Sequence, residues 1–482
     1  MVSSLRIRCV YNWLNEGLHW RQRIANAFKH GKICLATGAN DFTGQGEDCL
    51  FIDIWAPTKA NSTSNLPVFF FIQGGGFVSL SNSNYNCTDL VNAGDQEMIV
   101  VMFNYRVGPY GFLTDGDQIH PNNGLWDQVK ALEWVQKHIS KFGGNPKHVV
   151  IGGDSAGAGS IAYHLTRDGG KDHGLFVGAA AESVSFSTIL TVEQSQYLYD
   201  GFATRAGCAT RDSLHCLRSK SAEELQKANI NAQPFPGSQH PQLFPWNPVI
   251  DGNFITDLTY TAMENGDFVR VPVLMGDDTN GGTIFTPRST TTTADVNTFL
   301  HDQFPYLTLG DLQDIDSLYP STDCNTSGCK WRLVSDIYGD MRYMCPTLFM
   351  SQRYAAAGVH SWNYRWNVED PTQESQGLGV THTSEVHAIF GPENTNHAAP
   401  PSYYKGQENR AVVTVAQGYW TSFVRTLNPN KLRANGTVEW EEAAGWKRVV
   451  VNAGGETEME RVVGEGRRRC DYFRDIGEKV RQ

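Results

Sequence analysis

The sequence predicts an α/β fold in which a mostly parallel central sheet carries helices on both faces. Continuous apolar runs at 66–77 and 97–106 end in glycine or polar residues, which is typical of strands covered on both faces. Between such runs, apolar residues from Leu125 to Ile139 repeat at helical spacing. Strands that alternate with helices in this way indicate parallel pairing.

The later elements follow the same alternation along the chain. Residues 147–167 pass from a β-rich run through glycines into a helical stretch, and 175–183, 271–276 and 360–368 are predicted as further strands. Two irregular insertions, at about 190–248 and 286–330, are rich in Gln, Pro, Thr and Asp. Loops of that length often cover a pocket, although simple surface decoration explains them equally well.

Composition narrows the class of protein. The 482 residues are 40% hydrophobic, 19% charged and 11% aromatic, as in a soluble globular protein. The formal charge of −11 argues against a nucleic-acid partner, and the longest apolar run, Val68 to Ile72, is too short to span a bilayer. We predict no metal or organic cofactor, because the sequence has no H-E-x-x-H and no paired C-x-x-C.

Cysteines and glycosylation sequons indicate the compartment. Among ten cysteines, Cys208 and Cys216 close a short loop, and so do Cys324 and Cys329, as secreted proteins do. N-x-Ser/Thr sequons at Asn61, Asn86, Asn325 and Asn435 agree with secretion. The first residues, MVSSLRIRCVYNWL, contain no apolar signal-peptide region. We therefore expect either that the given chain lacks its true N-terminus or that the protein stays inside the cell.

A candidate nucleophile lies where a strand passes into a helix. Residues 153–157, Gly-Asp-Ser-Ala-Gly, have the form G-x-S-x-G, and this context is that of a nucleophile elbow with Ser155 on a strained turn. The small residues around the serine permit the close packing that such a turn requires. The alternative is an ordinary helix start in which Ser155 is only a capping residue.

A serine nucleophile also needs oxyanion donors and a base. The glycines at 74–76 follow a buried strand, so the amides of Gly75 and Gly76 are candidates to converge with that of Ala156. The base is expected on a loop after the last strands, which favours His382; His387 and His360 are its competitors.

Three further segments carry a family resemblance. GEDCLFIDIWAP (46–57), NYRVGPYGFL (104–113) and the run 122–160 resemble the type-B carboxylesterases, a family that includes cholinesterases and secreted fungal esterases and lipases. DIYGDMRYMCP (336–346) is most similar to the secreted fungal branch. The resemblance implies a single α/β-hydrolase domain over 17–482, preceded by a divergent or truncated segment at 1–16.

The resemblance also implies specific roles for residues of this sequence. Ser155 matches the family nucleophile, His382 its general base, and Gly75, Gly76 and Ala156 its oxyanion donors. Two recurring disulfides match Cys34–Cys49 and Cys208–Cys216. It further implies secretion and a small-molecule ester as substrate.

One loop departs from the family pattern. Members usually read D-E-G-T-x-F after this strand, with the Glu as the triad acid. Aligning GGTIF (281–285) places Gly281 at that position. Glu182, which ends the strand after the nucleophile helix, is the first candidate to replace the acid, and Asp278 is a less favoured one.

The functional expectation is a carboxylic ester hydrolase that acts through a Ser155 acyl-enzyme, with a weakened or rerouted triad. Two non-hydrolytic alternatives stay open: a binding protein with this fold, and an enzyme that cyclises a metabolite. Ser155, His382 and the glycine loop argue against a pure binding protein, which has no physical need for them.

Overall fold

The computed structural model describes residues 11–12, 29–321, 326–396 and 399–482. Within these ranges the strands are β1 (Tyr11–Asn12), β2 (Ile33–Cys34), β3 (Gln45–Gly46), β4 (Phe51–Trp55), β5 (Leu66–Ile72), β6 (Ile99–Phe103), β7 (Gly144–Asp154), β8 (Gly178–Glu182), β9 (Leu190–Thr191), β10 (Val249–Ile250), β11 (Val273–Asp278), β12 (Ser361–Asn367), β13 (Lys447–Asn452) and β14 (Thr457–Arg461).

The helices of the described residues follow the same chain order. They are α1 (Thr88–Ala93), α2 (Pro109–Phe112), α3 (Asn123–His138), α4 (Ala156–Gly170), α5 (Gln196–Arg205), α6 (Ser213–Ser219), α7 (Ala222–Ala228), α8 (Thr259–Asn265), α9 (Thr293–Gln303), α10 (Leu309–Leu318), α11 (Trp331–Gly339), α12 (Cys345–Ala356), α13 (Pro371–Ser375), α14 (Ser384–Phe390), α15 (Ala411–Thr426), α16 (Gly464–Asp475) and α17 (Gly477–Val480). A π-helical turn at Asp340–Met344 joins α11 to α12.

The main sheet confirms the predicted α/β fold. Its strands lie in the order β1-β4-β6-β5-β7-β8-β11-β12-β13-β14, and every neighbouring pair from β6 to β13 is parallel. The antiparallel pairs are at the two edges. The carboxyl ends of β7, β8 and β11 lie side by side, with Glu182 opposite both Asp154 and Gly276. Residues that follow these strands are therefore neighbours.

Strand β5 shows why the apolar runs are continuous. Val68, Phe70 and Ile72 belong to one hydrophobic cluster, and Phe69 and Phe71 belong to another. Successive side chains of a strand point to opposite faces, so a strand covered on both faces needs an apolar residue at every position. Helices α3, α4 and α8 cover the first face, and α14 and α15 cover the second.

The two insertions are more regular than their composition suggests. The first contains α5–α7 and the second contains α9 and α10. Capping boxes at Ser221, Thr292 and Thr308 begin α7, α9 and α10. The insertions pack on each other, where Gln242 Nε2 and Leu243 N–H donate to Gln303, and they line an open cleft of about 530 Å³.

Three described disulfides cross-link the chain. Cys34–Cys49 and Cys208–Cys216 form as expected, while Cys345–Cys470, which joins α12 to α16, was not predicted. Cys329 is disulfide-bonded, but Cys324 lies outside the described residues. The expected boundary near residue 17 also lies outside them.

Candidate active site

Ser155 sits on a strained turn between β7 and α4. Its backbone has φ 55° and ψ −118°, which is a costly conformation for a residue with a side chain and the usual one for a nucleophile elbow. A Cβ at Gly153 would lie 2.6 Å from Ile72 O, and one at Gly157 would lie 2.0 Å from the same atom. The glycines of the motif thus let the elbow pack directly on the end of β5.

Asp154 joins the elbow to the glycine loop. Its buried Oδ1 accepts a hydrogen bond of 3.0 Å from Gly74 N–H. Burial raises the pKa of Asp154 to about 7. This residue therefore fixes the distance between Ser155 and the start of the glycine loop.

The glycine loop presents amide groups beside Ser155. Gly75 and Gly76 have φ of +94° and +61°, a region that favours glycine. A Cβ at Gly74 would lie 2.9 Å from Ser155 Cβ, so the loop runs against the serine. Among the described residues, no hydrogen bond occupies the N–H groups of Gly75, Gly76 or Ala156. These three donors are available to a developing oxyanion.

His382 is buried on the loop between α13 and α14. Neither of its ring nitrogens is hydrogen-bonded to a described residue. The Tyr343 ring lies on it with centroids 4.1 Å apart, and the Phe285 ring lies edge-on at 5.3 Å. Burial, and then the charge of Arg342, lower the pKa of His382 to about 3. The imidazole is therefore neutral at neutral pH, and the same surroundings disfavour its protonated form.

The position of the expected acid faces the Tyr343 ring. The backbone of Gly281 does not adopt a positive φ, so a larger side chain is compatible with it. A Cβ at this position would lie 3.3 Å from Tyr343 Cδ2, and Tyr343 in turn packs on His382. By contrast, a Cβ at Gly282 would lie 1.9 Å from Ser335 O. Only the second glycine of the loop is required by packing.

Glu182, the first candidate to replace the acid, is engaged elsewhere. Its Oε2 accepts from Gly153 N–H at 3.0 Å, and its Oε1 accepts from the Trp420 indole at 2.5 Å. Burial raises the pKa of Glu182 well above its ordinary value. This carboxyl supports the strand beneath the elbow and makes no hydrogen bond to His382.

Asp278, the second candidate, anchors the histidine loop. Its Oδ2 accepts from Thr383 N–H at 2.7 Å and lies 2.7 Å from Ser183 Oγ. Its carboxyl is also hydrogen-bonded to that of Glu385. Burial raises the pKa of both groups, and the charge of the adjacent Glu385 raises that of Asp278 further. Asp278 holds the residue after His382 rather than His382 itself.

Sequence reasoning missed three residues at this site: Arg342, Tyr343 and Glu385. Glu385 lies three residues after His382 on the first turn of α14, which was the one available signal. Arg342 and Tyr343 reach the site from the π-helical turn, and no local pattern in the sequence marks such a turn.

Membrane-spanning helices and groups of metal-ligating side chains are both absent from the described residues. No helix in the described part of the chain is long and apolar enough to cross a membrane. Over the same residues, no group of three or more His, Cys, Asp or Glu side chains is gathered as metal ligands.

The chain resembles known proteins over most of its length. Residues 16–469 match the model of the carboxylesterase family. The match to secreted lipase 4 of Gibberella zeae is 28% identical and spans 86% of this chain and 76% of that relative. The match to lipase 2 of Geotrichum candidum is 34% identical and spans 73% of this chain and 67% of that relative. The crystal structure of Aspergillus niger EstA superposes with a TM-score of 0.91 at 38% identity, covering 96% and 90% of the two chains.

Proposed function

The chain belongs to the carboxylesterase family and is a serine hydrolase of the carboxylesterase type, and from that premise we propose that it cleaves esters with a Ser155–His382 pair and no triad carboxylate. The observation that carries the proposal is the elbow geometry of Ser155 beside three unoccupied amide donors. The absence of a triad carboxylate is supported by His382, whose ring nitrogens make no hydrogen bond to a described residue.

The reaction divides into two transfers. In the first, Ser155 Oγ attacks the acyl carbon while His382 accepts the hydroxyl proton, and the amides of Gly75, Gly76 and Ala156 bind the oxyanion. Collapse releases the alcohol, which takes the proton from His382. In the second, His382 removes a proton from water, the hydroxide attacks the acyl-enzyme, and the carboxylic acid leaves as Ser155 regains its proton.

The missing carboxylate makes this reaction slow. In a serine protease, disabling the triad acid lowers turnover about 10⁴-fold, because nothing orients the imidazole or stabilises the imidazolium. His382 faces the second penalty, since no described carboxylate bonds it and Arg342 repels its charged form. Glu182 and Asp278 do not fill the gap in this proposal: Glu182 supports the elbow, and Asp278 positions the histidine loop.

A non-hydrolytic role is the second candidate. The empty acid position at Gly281 favours it, since oxyanion donors also guide reactions other than hydrolysis. Product analysis separates the two, because hydrolysis of an ester releases an alcohol and a carboxylic acid in equal amounts.

We also propose that the protein acts outside the cell. Relatives from Gibberella zeae and Botryotinia fuckeliana are named as secreted lipases, and three described disulfides favour an oxidising compartment. The sequon residues Asn61 and Asn435 are exposed and so accessible to glycosylation.

The test is hydrolysis of p-nitrophenyl acetate by the unaltered protein and four variants. We expect slow turnover that Ser155→Ala and His382→Gln remove, and a gain with Gly281→Glu. His387→Gln is the matched histidine control, because His387 Nδ1 bonds Thr395 Oγ1 outside the site, and it should retain activity. Equal rates for the unaltered protein and Ser155→Ala would refute the proposal.

A further inference from the structure

Arg342 is a buried cation that has no acidic partner among the described residues. Its side chain is 5% exposed, and no ion pair of the described part of the chain includes it. Nε donates to Ser185 Oγ at 3.0 Å and Nη2 donates to Ser187 Oγ at 3.3 Å. Hydroxyl groups satisfy donors but do not neutralise a charge. Buried charges are normally paired, so this guanidinium lacks a counter-ion.

The guanidinium lies between the parts of the catalytic site. Ser185 O packs on the first turns of α4, where a Cβ at Gly159 would lie 2.7 Å from it. The Phe244 ring, whose centroid is 5.7 Å from Arg342 Cζ, also packs on Gly76 of the glycine loop. Tyr343, the next residue, packs on His382. The cation is thus bracketed by the nucleophile helix, the oxyanion loop and the base.

The local backbone holds this arrangement. Arg342 lies in the π-helical turn, and its carbonyl oxygen accepts from Phe186 N–H at 3.1 Å. The turn is therefore tied to the segment that follows β8, and its two side chains Arg342 and Tyr343 are aimed at the site together. Such π-helical turns often occur at functional sites.

We propose that Arg342 binds a carboxylate of the substrate, so that the ester this protein cleaves best carries a free carboxyl group. The inference rests on the proposed esterase function and names its substrate class. A planar guanidinium pairs with carboxylate through two parallel N–H···O bonds, and the side chains that Arg342 bonds, those of Ser185, Ser187 and Tyr343, offer it only hydroxyl groups. The guanidinium is thus the binding element, because a carboxylate is a stronger acceptor for its N–H groups than a neutral hydroxyl.

Substrate binding would also change the electrostatics of the base. The unneutralised charge of Arg342 lowers the pKa of His382 beyond the effect of burial alone. A carboxylate bound to Arg342 cancels that repulsion and brings a negative charge near the imidazolium, which is part of what a triad acid does. An anionic ester should therefore have a higher kcat as well as a lower KM than its neutral counterpart.

The test uses two pairs of esters that differ only in a charge. One pair is mono-p-nitrophenyl glutarate and its methyl ester, with the carboxylate on the acyl side; the other is 3-(butyryloxy)benzoate and its methyl ester, with the carboxylate on the alcohol side. In at least one pair, kcat/KM of the anionic ester should exceed that of the neutral one by about tenfold or more. The pair that responds identifies the side of the ester that meets Arg342.

Variants tie the preference to the arginine. Arg342→Gln should abolish the difference between the paired esters, and Arg342→Lys should retain a smaller one, because it keeps the charge but loses the fork. Each rate ratio is taken within one variant, so a general loss of activity does not alter it. Equal or reversed preference by the unaltered protein in both pairs overturns the proposal, as does a preference that survives Arg342→Gln.

A binding measurement separates this proposal from the esterase function. If no ester is cleaved faster than by Ser155→Ala, the esterase proposal fails, and calorimetry with monomethyl glutarate and dimethyl glutarate on the Ser155→Ala protein decides about Arg342. We expect monomethyl glutarate to bind at least tenfold more tightly. Equal affinities would refute carboxylate recognition.

Discussion

At the scale of single residues, the contact between position 281 and the Tyr343 ring limits the effect that we expect from a glutamate introduced at 281. The Cβ of a new side chain at 281 meets the Tyr343 ring at 3.3 Å, a contact that the ring can relieve only by shifting on His382. We expect Gly281→Glu to raise kcat/KM for p-nitrophenyl acetate modestly, and Gly281→Glu with Tyr343→Leu to raise it further, up to about 10⁴-fold.

Gly281→Gln is the control for the restored acid. It has the shape of the glutamate variant but cannot stabilise an imidazolium, so it should gain little in either background. If the glutamine variant equals the glutamate variant, the gain comes from packing, and Gly281 does not mark a lost acid.

Asp278 offers a second prediction at this scale. Because its Oδ2 accepts the Thr383 N–H, Asp278→Asn keeps an acceptor, while Asp278→Ala leaves a buried donor unsatisfied and costs about 1–3 kcal/mol. We expect kcat to fall clearly in Asp278→Ala and to be largely rescued in Asp278→Asn. Steady-state kinetics and urea unfolding of the two variants check this; an equally large fall in kcat in both would make Asp278 the catalytic acid.

Residue-scale prediction from sequence worked where a local pattern forces a local geometry. The G-x-S-x-G string at a strand–helix junction marks the strained turn of Ser155 directly. Arg342, Tyr343 and the Asp278–Glu385 pair depend on contacts between distant elements, so no window of the sequence contains them. The bond between Glu182 and Trp420 joins residues that are 238 apart in the chain. The sequence alone therefore did not show that the Glu182 carboxyl is already hydrogen-bonded.

At the scale of elements, the π-helical turn and the disulfide beside it are the feature that the site depends on. Cys345 begins α12 immediately after the turn and is linked to Cys470 of α16 across 125 residues. We expect Cys345→Ala with Cys470→Ala to cost about 2–5 kcal/mol of unfolding free energy. It should also lower kcat/KM, because Arg342 and Tyr343 lose their fixed support.

The Cys208–Cys216 bridge is the matched control for that variant. It closes a loop of only 8 residues in the first insertion, so its removal should cost less stability and leave kcat/KM nearly unchanged. Chemical unfolding and ester hydrolysis measure both quantities. A double alanine variant at 345 and 470 with normal kinetics would show that the turn holds its shape without the disulfide.

Prediction of elements succeeded for the sheet and failed for the insertions. Buried strands such as β5 are apolar at every position, so the sequence marks them directly. The insertion helices α7, α9 and α10 lack a long apolar periodicity, but their capping boxes at Ser221, Thr292 and Thr308 were visible signals.

At the scale of the whole molecule, buried carboxyls set the dependence of stability on pH. Burial raises the pKa of many of them, to about 7 for Asp154 and Asp340 and about 6 for Asp277, and it also raises the pKa of Glu182, Asp278 and Glu385. Between about pH 4.5 and 7 the folded state thus holds protons that the unfolded state has lost. The free energy of unfolding falls as pH rises through this window.

Two buried histidines oppose this trend. The pKa of His164 and that of His382 are lowered to about 3, so each costs stability as pH falls below about 6.5. Because the raised carboxyls outnumber them, we expect a higher melting temperature at pH 5 than at pH 8. Asp154→Asn should reduce the difference, and a melting temperature that rises from pH 5 to pH 8 would contradict the account.

Mass spectrometry of the protein after brief reaction with p-nitrophenyl butyrate tests directly whether Ser155 forms an acyl-enzyme. Because p-nitrophenolate leaves without a proton from His382, whereas the attack of water needs His382 as a base that no described carboxylate supports, deacylation should be the slower step. The acyl-enzyme should then accumulate, with one butyryl group on the peptide that contains Ser155 and none there in Ser155→Ala. Absence of the group from that peptide, with p-nitrophenol released as fast by Ser155→Ala, would contradict the account.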